Sequence, residues 1–481
     1  MKESILRIVT PLVCVLITIS LAINVTFFAI TKKTNNENET PPPVDISVDK
    51  YTKEEFLLDL TYKDPDYELE LPIIEINTEN EVFPYDKVDY INCSFKMSNT
   101  PNGDYDIEKE MQESAKSSGG VGIRLRGNST MQLPKKPFRI KFNEKTSLMG
   151  LTANKSWALL ADYNANGAAR MLNYSALTLS SWLDNLDYSA TPNHVVVFVN
   201  DDFQGLYLLT EHIEANKGRV PVKEDFEVDT SDEAPEFQEF PFLIEGFALT
   251  AEEKTFDVAP GVAIEVKYPD FEDYNEEEIN VIQSYIEDYM AAVWKTVKTG
   301  HNVMLGGVSV GLTDLVDIDS LVDLYLLNEI MENAEGMSRS VYMHKTTTGK
   351  LKFGPAWDFD IQFEGCAIGT AGKELLCCQY SDFMREIMKH EEVYQAVVDR
   401  YQEIMPLIDD LYELLINYQS KIDKVAKIDS QVWYGDAKLY NYGYDLVKAR
   451  LMDRKFILAE KFSLSHDEFV EMLAETPPYI W

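Results

Sequence analysis

Hydrophobic and polar residues alternate along much of the chain between about residues 69 and 207. Residues 121–126 and 138–142 carry an apolar side chain at every second position, which is typical of a β-strand with one buried face. Two apolar runs, 194–199 and 205–209, flank Asn200-Asp-Asp202, and this arrangement indicates a hairpin. The pattern predicts a strand-rich first half, interrupted by one helix from about residue 169 to residue 183.

A helical period replaces the alternation from Glu276 onward. Apolar residues then recur three or four positions apart, at Ile279, Ile282, Ile286, Met290 and Val293. Asp319-Ser320 precedes a second such run in the manner of an N-cap, and residues 380–464 are mainly helical in pattern. We therefore predict an α+β fold whose second half is mostly helical but contains a strand through residues 354–360.

The N-terminal segment is the longest apolar run. No charged residue occurs between Ile8 and Thr31, a length that can span a bilayer as a helix. No small-residue cleavage site precedes Lys32, so an uncleaved anchor is favoured over the alternative, a signal peptide. We predict an anchor (1–33), a polar linker (34–50), a main domain (51–470) and a C-terminal tail (471–481).

The charge balance restricts the partners. The 481 residues include 81 Asp and Glu against 44 Lys and Arg, a net charge of −37. A nucleic-acid partner is not expected, because phosphate binding needs clustered basic residues. The charge is compatible with basic substrates or with a solvated extracellular surface.

The cysteines give no metal motif. There is no CxxC pair, so a structural zinc site is not predicted. We expect buried thiols or one optional disulfide, although the neighbouring pair Cys377-Cys378 could bind a metal or form a bridge elsewhere. The five cysteines are Cys14, Cys93, Cys366, Cys377 and Cys378.

The segment 354–360, Gly-Pro-Ala-Trp-Asp-Phe-Asp, carries the most specific chemistry. A strand would point Asp358 and Asp360 to one face, and a tight turn would let them converge on one cation. Paired carboxylates suit Mg²⁺, which completes its shell with water and substrate phosphates. No Lys or Arg stands beside the pair in the sequence. The alternative is an acidic strand end whose aromatic residues pack into the core.

Four blocks of sequence stand out along the chain: 124–130 with 135–141; 157–163 with 170–174; 197–207 with Glu211; and 329–336 with 340–342 and 354–360. These blocks resemble the spore-coat-protein-H (CotH) kinase family, an atypical branch of the protein-kinase-like fold. They occur in the family's order, and the resemblance extends over nearly all of the chain after about residue 65.

The resemblance implies a two-lobed kinase-like domain that uses ATP and Mg²⁺. Its strand-rich lobe would cover about 65–215 and its helical lobe about 216–470. The turn formed by Arg126, Gly127, Asn128 and Ser129 would cradle phosphate through free amides, although glycine turns are also common in ordinary hairpins. Glu211 would lie at the connection between the lobes, where an ordinary surface glutamate is the alternative.

One strand lysine should neutralise the nucleotide phosphates. The resemblance favours Lys136, while Lys135 and Lys141 remain candidates. Arg170 and Asn173 share one face of the predicted helix, where they could position a phosphate or a lobe-bridging carboxylate, or serve a structural role. Glu245 is a lone charge in an apolar strand and should be paired, either as a site residue or in a structural ion pair.

The fourth block departs from the family's pattern. Family members commonly carry Asn-x-Asp there, and the aspartate looks like the catalytic base; this chain has Asn333-Ala-Glu335. Glutamate extends the carboxylate by one methylene, so transfer could be slowed. Asn333 would orient the base, Asp358 would bind the metal, and Asp360 would be a second ligand or its support.

Two functions follow from these observations. The first is a membrane-anchored, extracellular, ATP- and Mg²⁺-dependent kinase that phosphorylates Ser, Thr or Tyr, for example in a Ser/Lys-rich surface or coat protein. If the N-terminal segment were cleaved, the protein would be secreted. The second is a pseudokinase-like module that binds a nucleotide, a cell-wall glycan or a surface protein. The paired acids at i, i+2 do not suggest a glycoside hydrolase.

Overall fold

The alternating pattern of the first half folds into a closed β-barrel. The computed structural model describes residues 51–62, 64–100, 120–246, 255–259, 262–363 and 375–475. The barrel order is β1-β2-β3-β4-β5-β9-β8, closed by parallel pairing of β1 with β8. The strands of this half are β1 Ile73–Thr78, β2 Ile91–Ser98, β3 Val121–Leu125, β4 Phe138–Thr146, β5 Asn154–Leu160, β6 Tyr163–Asn164, β7 Gly167–Ala168, β8 Asn193–Val199 and β9 Asp202–Glu211.

The barrel interior is formed by the apolar set of the alternating positions. Ile123 of β3 and Phe138 and Ile140 of β4 are fully buried in one cluster. The intervening residues Arg124 and Arg139 are only partly buried, and they stand directly opposite each other. Burial of each large apolar side chain stabilises the barrel by about 1.5–3 kcal/mol. The outer face of β3 and β4 is therefore left for polar chemistry.

The second half is mostly helical, as predicted. The helix over 276–299 begins with a capping box between Asn275 and Glu278. The helix over 318–330 begins two residues before the expected position, because the N-cap is Asp317, whose side chain accepts a hydrogen bond from Ser320 N. The helices within the described ranges are α1 Lys53–Thr61, α2 Met171–Ser180, α3 Glu276–Thr299, α4 Leu312–Leu315, α5 Ile318–Ile330, α6 Glu335–Ser338, α7 Asp382–Ile387, α8 Glu391–Tyr434, α9 Tyr442–Lys461 and α10 His466–Glu475.

A five-stranded sheet lies within this helical half. Its order is β11-β12-β10-β15-β16, and a separate hairpin is formed by β13 and β14. The strand predicted through residues 354–360 is wrong: β16 ends at Phe353, and the following residues form a turn. The strands are β10 Phe242–Gly246, β11 Thr255–Ala259, β12 Val262–Tyr268, β13 Val303–Leu305, β14 Val308–Val310, β15 Val341–Lys345 and β16 Lys352–Phe353.

Helix α8 connects the helical half to the barrel. It has 44 residues, a length of about 66 Å at the usual rise. Near its C-terminal end, the carboxylate of Asp429 contacts Lys135 Nζ at 2.8 Å and Arg170 Nη2 at 2.6 Å. It also accepts a hydrogen bond from Leu206 N at 2.9 Å. Arg170 thus reaches a bridging carboxylate, one of the roles the sequence suggested for it.

Several expectations concern segments that the structure does not describe. The apolar run 8–31, the linker 34–50, Cys14, Cys366 and the tail from residue 476 lie outside the described residues. Within the described ranges, no helix combines the length and apolar character that a membrane span requires. Cys93, Cys377 and Cys378 are buried.

Candidate active site

The segment after β16 forms a turn that carries both candidate metal ligands. Asp358 adopts a left-handed backbone conformation, with φ at +67°, which is strained for a residue with a side chain. Its Oδ2 accepts a hydrogen bond from Ser340 Oγ at 3.0 Å. Burial raises the pKa of Asp358, although Ser340 and Arg126 oppose the rise. Asp358 is therefore the more readily ionised of the two aspartates.

Asp360 lies in a strongly negative environment. Burial raises the pKa of its carboxyl well above the ordinary value, and Asp358, Glu335 and Asp162 raise it further. No side-chain hydrogen bond or ion pair joins this carboxyl to any other described residue. Such a group is costly to keep charged unless a cation joins it.

An arginine faces this acidic turn, so the expectation that no cation stands near the pair is wrong in three dimensions. The guanidinium carbon of Arg126 lies 5.3 Å from the centre of the Trp357 ring. Burial lowers the pKa of Arg126, whereas Asp358 and Asp360 oppose this effect. Across the described ranges, the side chain of Arg126 has neither a hydrogen bond nor an ion pair. It is available to a ligand anion.

The segment with Asn333 and Glu335 contacts the acidic turn directly. Asn333 Nδ2 donates to the carbonyl of Asp358 at 3.2 Å and to Asn328 Oδ1 at 3.1 Å. Asn333 therefore connects the two segments rather than holding the Glu335 carboxylate. Glu335 begins α6 and lies 3.7 Å from Arg339 Nη1. Burial and then Asp358 raise its pKa, which favours proton acceptance.

The three candidate lysines have different surroundings. Lys135 is buried against Asp429 and donates to Leu206 O at 2.7 Å. Lys136 Nζ donates to Met131 O at 3.0 Å, within the loop between β3 and β4. Lys141 is exposed. Lys135 is committed to a structural contact, so the structure leaves Lys136 and Lys141 more accessible.

The turn after β3 has the backbone geometry that its glycine suggested. Gly127 has φ at +82°, a conformation that glycine adopts without strain. Asn128 Oδ1 accepts a hydrogen bond from Lys87 Nζ at 2.8 Å, and Ser129 is exposed. The predicted phosphate-binding turn thus lies at the surface, directly after Arg126.

Sequence reasoning missed a cluster of cations around His212, formed by Arg124, Arg126 and Arg139 of the barrel and Lys267 of β12. Burial and these four cations lower the pKa of His212 well below its ordinary value. His212 Nδ1 is buried without a hydrogen-bond partner in the described part of the chain. Arg139 and Lys267 are already paired with carboxylates, at 3.0 Å and 2.9 Å respectively. Arg126 is therefore the member of the cluster that the described residues leave open to a ligand anion.

Two other predicted residues are held by protein contacts. Glu211 Oε2 accepts a hydrogen bond from Thr191 N at 2.6 Å, and its Oε1 lies 3.4 Å from Arg219 Nη1. Glu245 is paired, as expected of a charge in an apolar strand: Lys267 Nζ lies 2.9 Å from it and Tyr342 donates to it at 3.1 Å. Both carboxylates therefore already have hydrogen-bond and ion-pair partners within the protein.

Asp162 is a further site residue that the sequence did not single out. It follows β5, is 6% exposed, and has φ at +47°. Burial raises its pKa to about 7. Its Oδ1 accepts a hydrogen bond from Asn173 Nδ2 at 3.0 Å, while Oδ2 has no partner among the described residues. A carboxylate at the end of an apolar run was the signal for it.

The donor set fits a divalent cation held by few protein ligands. No group of three His, Cys, Asp or Glu side chains within the described ranges has the geometry to enclose a metal ion. Asp360, which has no side-chain partner among the described residues, and the partly neutralised Asp358 offer two carboxylates instead. Mg²⁺ typically binds one or two carboxylates and takes water and phosphate for the rest.

An acidic turn with an arginine beside it, whose side chain has no hydrogen bond or ion pair within the described ranges, suits a metal-bound polyphosphate, the kind of ligand that phosphotransferases use. A family model described as CotH kinase protein matches residues 123–451. The chain belongs to this family, as the sequence resemblance implied, and the family indicates a kinase-like function with use of nucleotide and metal. No curated protein matches the chain.

Proposed function

We propose that the protein transfers the γ-phosphoryl group of ATP to a Ser, Thr or Tyr hydroxyl of a protein, with Mg²⁺ as the cofactor. The observation that carries the proposal is Arg126, whose side chain has no hydrogen bond or ion pair among the described residues and which lies beside the turn that holds Asp358 and Asp360. An isolated arginine and an isolated acid pair would each be unfavourable. A nucleotide triphosphate with its cation would satisfy both.

The site residues would have two roles, because the cationic side chain would contact the phosphates and the carboxylates would contact the metal. Arg126 would face the phosphates, and Asp358 with Asp360 would hold the metal. When bound, Mg²⁺ would neutralise charge that develops on the phosphate oxygens. The backbone amides of the exposed residues Asn128 and Ser129 would offer further phosphate contacts. Catalysis would rest mainly on positioning and charge neutralisation.

Glu335 is the proposed general base. Its carboxylate would take the proton of the substrate hydroxyl while that oxygen bonds to the γ-phosphorus. The bond from the γ-phosphorus to the β–γ bridging oxygen would break, leaving ADP and a phosphorylated side chain. The raised pKa of Glu335 supports this role. The hydrogen bond from Asn333 to the carbonyl of Asp358 would hold the segment that carries Glu335 against the metal-binding turn.

We further propose that the enzyme acts outside the cytoplasm, held to the membrane by residues 8–31. The net charge of −37 favours a basic substrate, such as a Ser/Lys-rich surface or coat protein. N-terminal sequencing of protein extracted from membranes tests the anchor. A mature chain beginning near residue 32 would instead make residues 8–31 a signal peptide.

Calorimetry of ATP binding with and without a chelator tests the metal-dependent site. We expect binding only with a divalent cation, because the carboxylates repel the phosphates in its absence. Asp358→Asn should weaken Mg²⁺–ATP binding more than Asp360→Asn, since Asp358 is the more readily ionised acid. Equal binding with and without the chelator would contradict the metal assignment, and the reverse order of the variants would exchange the ligand roles.

The second candidate function is a nucleotide-binding module without transfer activity. The ion pair of Glu335 with Arg339, together with the glutamate in place of the family's aspartate, favours it. Measurement of radiolabel transfer from γ-labelled ATP to a basic Ser-rich peptide separates the two functions. ATP binding without any transfer would support the module.

A further inference from the structure

We propose that Asp162 is a positioning residue that sets, through Asn173, the conformation of the metal-binding turn. The inference rests on the proposed function, because it assigns a role toward the cation held by Asp358 and Asp360. The contacts involved run from the end of strand β5 to the turn after β16, almost two hundred residues later in the chain.

The first contact fixes Asp162 itself. Its backbone is left-handed, with φ at +47°, and its carbonyl accepts a hydrogen bond from Ala169 N at 2.9 Å. Its side chain is nine-tenths buried beside α2. A strained, buried acid of this kind costs stability and is retained where a site requires it.

The second contact fixes the amide of Asn173. Asp162 Oδ1 accepts from Asn173 Nδ2 at 3.0 Å. A carboxylate can only accept, so it requires the NH₂ side of the amide to face it. The carbonyl of Asn173 must then face the opposite direction.

The third contact reaches the turn. Asn173 Oδ1 accepts a hydrogen bond from Phe359 N at 3.0 Å. Phe359 lies between the two candidate metal ligands, so this bond restrains the backbone of both. By fixing the orientation of the Asn173 side-chain amide, Asp162 ensures that its oxygen, and not its NH₂ group, faces the backbone N–H of Phe359.

The charge of Asp162 also reaches the site. Its Oδ2 is buried without a hydrogen-bond partner among the described residues, and its carboxylate raises the pKa of Asp360. An uncharged acceptor would satisfy Asn173 equally well. The carboxylate therefore adds negative potential where a cation would bind.

A set of four variants tests the relay, with Mn²⁺ affinity measured by electron paramagnetic resonance. Asp162→Leu removes the acceptor, and we expect about tenfold weaker Mn²⁺ binding, the size typical for partners of metal ligands. Asp162→Asn can still accept from Asn173 and should retain most of the affinity. Asn173→Asp places two carboxylates together and should weaken binding. The double variant Asp162→Asn/Asn173→Asp restores a donor facing an acceptor and should recover it.

Two controls keep the result interpretable. Exposed Asp66→Leu tests the general effect of a lost charge, and thermal melting tests folding of each variant. Wild-type affinity in folded Asp162→Leu, or no recovery in the double variant relative to Asn173→Asp, would overturn the relay. Wild-type protein that binds Mn²⁺ but not ATP would refute the proposed kinase and leave the relay testable. Wild-type protein that binds neither would overturn both.

Discussion

The carboxyl group of Asp360, in the turn after β16, feels the negative charge of three others, those of Asp358, Glu335 and Asp162. Burial and mutual repulsion raise the pKa of Asp360, and Arg126 offsets this only in part. Asp162 and Asp358 also have left-handed backbones. Unfavourable charge and strained backbone at one place are typical of a functional site rather than of a structural ion pair.

Substitution of Glu335 should separate transfer from binding. We expect Glu335→Asp to raise phosphoryl transfer to a basic Ser-rich peptide, because it restores the side-chain length that is common in the family. Glu335→Gln should abolish transfer and leave ATP affinity nearly unchanged, since the base contacts the acceptor rather than the metal. Radiolabel transfer and calorimetry measure the two effects. Full activity in the Gln variant would place the base elsewhere.

In protein kept free of metal by a chelator, Asp162 should lower the free energy of unfolding as the pH rises. Its pKa in the folded protein is about 7, against an ordinary value of 3.8. Folding therefore takes up a proton between about pH 4 and pH 7, and stability falls as the pH rises through this window. Asparagine cannot ionise, so Asp162→Asn should melt above wild type at about pH 8, and the difference should shrink toward about pH 5. A pH-independent difference would contradict the assignment.

At the scale of elements, one buried carboxylate joins helix α8 to the barrel. Burial alone would raise the pKa of Asp429, but Lys135 and Arg170 outweigh it, and the pKa is lowered. Gly205 is required at the contact, because a Cβ there would collide with Asp429 Oδ1. The contact holds together the loop before β4, the start of α2 and the hairpin strand β9.

Removal of this carboxylate should destabilise the whole fold. Asp429→Ala leaves two buried cations without their partner, and we expect a loss of about 3–5 kcal/mol in the free energy of unfolding. Asp423→Ala, which removes the partly exposed pair with Lys427 on the same helix, should cost less than about 1 kcal/mol. Chemical denaturation measures both. Similar losses in the two variants would show that the buried contact contributes no more than a surface pair.

The elements differ in how far the sequence could predict them. Alternation revealed β3 and β4, and the 3.6-residue period revealed α3, because both patterns are local consequences of burial. The turn at Asp358 was mistaken for a strand, since its left-handed backbone depends on contacts from Ser340 and Asn333. The approach of Arg126 to Trp357 was equally hidden, because it joins residues far apart in the chain.

At the scale of the molecule, a strongly acidic protein carries a local cluster of cations. The net charge is −37, yet Arg124, Arg126, Arg139 and Lys267 all act on His212. In the proposed kinase, Arg126 of this cluster would meet the phosphates of the nucleotide, and the acidic remainder of the protein would attract a basic partner.

Recognition of a basic acceptor should therefore depend on salt. We expect KM for a Lys- and Ser-rich peptide to rise steeply with ionic strength while kcat changes little, because screening weakens long-range attraction but leaves the positioned complex intact. A peptide with the same serines and with Glu in place of Lys serves as the matched control and should be a poor substrate at every salt concentration. Steady-state transfer assays between about 0.05 and 0.5 M salt cover the range over which the screening length falls to a few ångströms. A salt-independent KM for the basic peptide, or equal use of the acidic one, would contradict recognition by charge and point to contacts with particular side chains of the acceptor.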